Sequence, residues 1–194
     1  MLRGSGGLPA LATPLLASLV LLPWLWAWPV GANLPVPVQW SGGALAVLML
    51  GWPLAIPVLA IAGASTTFTI GASIPEAISA TVWFGVLPAT AVLVLGHAVR
   101  RAFGMHPVAY LLGRAYAVPL AALFSCALAS AWASGHLPGA DGATAVVTAF
   151  LMAMGEAAWT CAVASLLVAW QPQWLATWSD ERYLPSRKTP PRRA

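Results

Sequence analysis

The sequence predicts an all-α protein: a polytopic transmembrane bundle of about five spans, followed by a short interfacial C-terminal segment. Three observations predict it. Hydrophobic residues make up 60% of the chain and charged residues only 7%, against roughly 25% charged in soluble domains, so a water-facing surface cannot be assembled from this composition. Uncharged runs of about 20 residues recur along the chain, the length a helix needs to cross about 30 Å of hydrocarbon. The positive charge sits mainly outside those runs, in one loop and at the C-terminal end. The division expected is a transmembrane domain over 1–170 and a cytoplasmic interfacial and disordered tail over 171–194.

The first run, 8–28, follows Arg3 and ends in Trp24, Trp26, Trp28 and Pro29. It reads as a span or as a signal sequence, because Val30-Gly31-Ala32 offers the small residues a signal peptidase requires. In 34–39, Pro35 and Pro37 each remove a backbone donor and push the preceding residue to extended geometry, so a loop is expected. The second run, 41–64, carries Gly42, Gly43 and Gly51, then Pro53 and Pro57. Prolines there predict a kinked or broken helix, and a full break would raise the number of spans to six. The polar stretch 65–73 reads as a loop. Pro75 then opens a third run, a favourable first-turn position, which carries Pro88 and stops at Arg100 and Arg101. The fourth run, 107–132, holds Arg114; the loop 134–142 closes it; the fifth run, 143–170, holds Glu156.

Five spans put the two ends of the chain on opposite sides. The loop with Arg100 and Arg101 then shares a side with Arg182, Arg187, Lys188, Arg192 and Arg193, while the loops opposite hold only Asp141. Basic residues favour the cytoplasmic side, so the expectation is a multi-pass protein of a bacterial inner membrane with its C-terminus in the cytoplasm. The net charge of +4 thus reads as membrane orientation, and nucleic acid is not an expected partner; the lipid bilayer is.

Charges inside spans are expensive and therefore informative. Arg114 lies about seven residues into its span, roughly 10 Å, and Glu156 about thirteen residues into the next, roughly 20 Å from the opposite face. The two depths match. An Arg114/Glu156 ion pair is expected, serving either helix register or a substrate pathway. Glu76 falls in a first helical turn, where the helix dipole favours an anion; it reads as a dipole partner or as an outer gate. Trp170, Trp174 and Trp178 recur every four residues and, if helical across Pro172, form an aromatic anchor at the headgroup level or, with Arg182, a partner-docking surface. The final stretch with Pro190 and Pro191 reads as disordered.

Cys126 and Cys161 lie at opposite ends of their spans and form no disulfide or zinc pattern. His97, His106 and His136 share no helical spacing, so no metal or cofactor is expected. No Gly-x-Ser-x-Gly, His-Glu-x-x-His, P-loop or paired-carboxylate pattern occurs, which leaves enzymatic chemistry without a motif.

Three stretches carry a family resemblance: Gly43-Ala44-Leu45-Ala46-Val47-Leu48-Met49-Leu50-Gly51-Trp52-Pro53; His106-Pro107-Val108-Ala109-Tyr110 to Arg114; and Gly155-Glu156 through Gln171-Pro172-Gln173-Trp174 to Asp180-Glu181-Arg182-Tyr183-Leu184. In these the chain resembles energy-coupling-factor transporter permeases of the CbiM/NikM-like type, in particular their proteobacterial relatives. The resemblance implies a substrate-binding membrane subunit working with a second membrane subunit and cytoplasmic ATPases. The family's metal site uses a Met-His start and a histidine before the Gly/Ala-rich span. Here Met1-Leu2 and Gln39-Trp40 stand there, so Gln39 marks a degenerate metal position and the donors suited to nickel or cobalt are missing. Two functions follow as expectations: a permease-like subunit binding or moving a small solute or ion, or a non-transporting scaffold or assembly factor for a partner complex.

Overall fold

The computed structural model describes residues 7–31, 40–134 and 142–183, and among them every regular element is helical. Helix α1 is Gly7–Gly31, α2 is the eight-residue Gly43–Leu50, and α3 is Trp52–Thr69. Helix α4 runs through Ile74–Ala80, a π-helical stretch Thr81–Val86, and Leu87–Phe103. Helix α5 begins as the π-helical Ala109–Ala117 and continues as Val118–Ser134. Helix α6 is Gly142–Trp170; a 3₁₀ turn at Pro172–Trp174 leads to a final helical turn, α7, Asp180–Tyr183. Five of these helices are long and apolar enough to cross a membrane, α2 not being among them. The chain is a multi-pass membrane protein.

The second run breaks where the glycines and prolines stand. Gly42 and Gly51 both take positive φ, 65° and 75°, a region closed to most L-residues at little cost only for glycine. A Cβ on Gly42 would also lie 2.4 Å from Leu22 Cδ2. Beyond Gly51, Pro53 sits in the first turn of α3, where its missing N–H goes unnoticed. Had α2 continued instead, Pro53 would have left the Met49 carbonyl without its i+4 donor. The outcome is a buried half-helix between α1, α3, α4 and α6, with almost every residue of α2 in the core.

Prolines shape the long helices too. Pro88 and Pro119 each clash with the carbonyl four residues earlier in an α-helix, at Phe84 and Ala115. Both carbonyls lie within the π-helical stretches, whose wider turns relieve the clash: Leu87 N–H reaches Val82 O and Val118 N–H reaches Gly113 O, both i→i−5. Such bulges re-satisfy the backbone inside lipid.

The polar stretch 65–73 is not all loop. α3 continues through Thr69 because its hydroxyls bond back into the helix: Ser65 to Ala62 O at 2.6 Å, Thr66 to Gly63 O at 2.7 Å, Thr67 to Ala64 O at 2.8 Å and Thr69 to Ser65 O at 3.0 Å. Back-bonded hydroxyls cost little in an apolar setting, so a Ser/Thr run there extends a helix. The turn itself occupies only 70–73, with Gly71 at φ 68°.

Beyond residue 170, Leu175, Trp178 and Tyr183 belong to the hydrophobic core. The expected disorder of 186–194 lies outside the described residues.

Candidate functional site

The two ends of α2 organise the centre of the molecule. At its N-terminus the chain forms an elbow, Ser41-Gly42-Gly43. Ser41 N–H donates to Glu156 Oε2 at 2.7 Å and Gly42 N–H donates to Glu156 Oε1 at 2.8 Å. Gly43 N–H is taken by the Ser41 hydroxyl at 3.0 Å, and Trp26 Nε1 donates to Ser41 O at 2.9 Å. Gly42 in its left-handed conformation aims two consecutive amides at one side chain, a nest suited to an anion. The positive end of the α2 dipole adds to it. Glu156 is 4% exposed, and both of its oxygens are engaged.

At the other end, the segment after Pro172 supplies the donors that α2 lacks. Ala176 N–H reaches Met49 O at 2.9 Å, and Thr177 gives Leu48 O both its N–H at 3.3 Å and its hydroxyl at 2.9 Å. Tyr110 OH and Thr177 Oγ1 are hydrogen-bonded at 2.8 Å. Around them Trp178 stacks on Tyr183, centroids 4.5 Å apart and planes 8° off parallel, while Tyr110 meets both rings edge-on. The carbonyl end that Pro53 leaves open is thereby capped.

The expected Arg114/Glu156 ion pair is not formed. Matching depth brought both residues into the interior, but depth along a helix says nothing of direction, and the carboxylate turns to the elbow. Arg114 lies instead against Gly96 of α4, whose Cβ, if present, would be 3.3 Å from Nε. It is 8% exposed, and its Nε is buried without a hydrogen-bond partner.

Glu76 completes a capping box on α4, accepting the Ser73 N–H at 2.8 Å and the Ser73 hydroxyl at 2.7 Å. It is exposed, and the groove between α3 and α4, about 400 Å³ and walled by Ala60, Ala64, Ala77 and Thr81, does not include it. A second groove of about 700 Å³ follows one face of α4 past His97 and Arg101. Neither groove touches Glu156 or Arg114.

The tryptophan spacing does not survive the fold. Helix α6 ends at Trp170, because Pro172 offers no N–H and the chain turns through 3₁₀ geometry. Trp170 is 75% exposed, as an anchor would be, and Trp174 is half-buried. Trp178 is core: 4% exposed, with Nε1 donating to Asp180 Oδ1 at 2.7 Å. It is neither a headgroup anchor nor a docking surface. Arg182 belongs to α7 by its backbone, and Gln39 lies outside the described residues. Among the described residues no three His, Cys, Asp or Glu side chains converge on one point.

Sequence reasoning missed Ser41 and Gly42 as partners of Glu156, with Trp26 on the Ser41 carbonyl, and Ala176 and Thr177 as the cap at the other end of α2, with Tyr110 and Tyr183 around them. A Ser-Gly-Gly run before an apolar segment was the available signal for the first group. Compared with protein-family models, with curated proteins and with solved structures, the chain matches none.

Proposed function

We propose that this chain is the permease-like membrane subunit of an energy-coupling-factor type transporter, binding or moving a small solute with no chemistry of its own. The observation that carries the reading is the half-helix α2, held inside the bundle by groups from distant parts of the chain. Interrupted helices are costly in lipid and are tolerated where they are buried in protein or line a cavity; in transporters they build the substrate site near the midplane. The likeness to CbiM/NikM-like permeases runs through the same stretch. In this reading a second membrane subunit and cytoplasmic ATPases drive the cycle, the membrane is a bacterial inner membrane, and the C-terminus faces the cytoplasm with Arg100 and Arg101. Packing of α1 supports its retention as a span: Trp26 and Leu22 are core residues, and the elbow depends on Trp26.

One observation favours the alternative, a scaffold or assembly factor. Both ends of α2 are closed and both Glu156 oxygens are occupied by protein donors. Affinity purification of the chain from its own membrane decides between them. Co-purification with an ATPase whose turnover responds to the chain supports the transporter; a cofactor-bearing complex without ATPase overturns it in favour of the scaffold.

A further inference from the structure

Arg114 is a buried cation that no carboxylate meets among the described residues. We propose that it is the centre of an oxyanion-binding site, which takes a phosphate group supplied from outside the chain. Of the 5 acidic residues, Glu156 is committed to the elbow, Glu76 to its capping box, and Asp180 to Trp178. Glu181 is exposed. Asp141 lies outside the described residues. None of the four described meets the guanidinium.

An arginine held that deep without a partner is among the costliest arrangements a bundle can contain. The local backbone nevertheless builds a seat for it. Arg114 falls in the π-helical start of α5 that relieves the Pro119 clash, a distortion also frequent at functional sites. Opposite it, Gly96 has no side chain, and a Cβ there would come 3.3 Å from Nε and 3.6 Å from Cγ. Four residues on, Arg100 shares the Gly96 face of α4 by helical periodicity and is exposed, a second positive charge on that face. A planar guanidinium fork matches two oxygens of a phosphate, and a group of up to two negative charges suits two arginines better than one. The site stands or falls independently of the transporter reading.

A phosphate can come from a lipid headgroup or from solution, and the same experiment separates them. The full chain, labelled with ¹⁵N-arginine, is placed in nanodiscs of phosphatidylcholine in phosphate-free buffer, and the Arg114 Nε–H resonance is followed. Arg114→Lys assigns it by its loss. Should that variant not fold, Gly96→Ala assigns it by displacement, since the added methyl must move the guanidinium. A saturable shift on adding inorganic phosphate identifies a soluble ligand. A shift appearing only when phosphatidylglycerol is included identifies a headgroup. In either case Gly96→Ala is expected to weaken binding about tenfold, and wild-type affinity in that variant contradicts the seat described. A resonance that neither addition moves overturns the proposal.

Discussion

Replacing Glu156 with glutamine keeps the shape of the side chain and removes one of its two acceptors. The amide oxygen can still receive Ser41 or Gly42, but the NH₂ group then faces the other backbone N–H, donor against donor. Hydrogen bonds to charged groups contribute about 1.5 to 3 kcal/mol each, and a stranded buried donor costs about 1 to 3 kcal/mol. Interhelical bonds in membranes fall toward the lower end of such ranges. The two bonds here are short, 2.7 and 2.8 Å, so Glu156→Gln is expected to destabilise the protein by about 2 to 4 kcal/mol, a midpoint drop on the order of 10 °C. Glu156→Ala, which strands both donors and opens a cavity, should cost more. The assay is thermal unfolding in detergent, paired with hydrogen exchange at the Ser41 and Gly42 amides, which should accelerate before any others. A Glu156→Gln protein that melts with the wild type and keeps both amides slow would refute the claim that this carboxylate holds the elbow.

Gly63→Ala places a Cβ 1.7 Å from Thr81 Oγ1 and 2.9 Å from Thr81 Cβ, so it should destabilise the α3/α4 contact by about 3 kcal/mol through overpacking; unfolding of the double variant with Thr81→Gly, which removes both obstructing atoms, should recover part of that loss. Trp178→Ala removes a fully packed aromatic, which costs about 3 to 5 kcal/mol, and should expose the segment after Trp170 to limited proteolysis while the spans stay intact. Tyr110→Phe deletes only the bond to Thr177 and should cost about 1 kcal/mol, read by the same melting assay.

Much of the architecture was legible in the residues. The apolar runs locate five long helices because lipid leaves the backbone no partner but itself, and Gly51 with Pro53 announced the break, while Pro57 lies inside α3. Pairing was less legible. Arg114 and Glu156 were matched by depth, which the sequence supplies; azimuth depends on the π turn in α5 and the left-handed Gly42, and neither has a periodic signature. The tryptophans misled for a related reason: a spacing of four means one face only while the helix lasts, and Pro172 ended it. The Ser/Thr run at 65–69 looked like loop by composition, yet in an apolar setting hydroxyls that bond back to their own helix extend it.

The central claim is that α2 is a half-helix sealed inside a membrane bundle, with Glu156 at one end and the Trp178 cluster at the other. Residue-resolved hydrogen–deuterium exchange of the full chain in lipid nanodiscs tests it most directly. The amides from Ala46 through Leu50 should exchange as slowly as those in the middle of α3. Exchange there as fast as in the turn at 70–73 would show a half-helix lined by water, and would contradict the account.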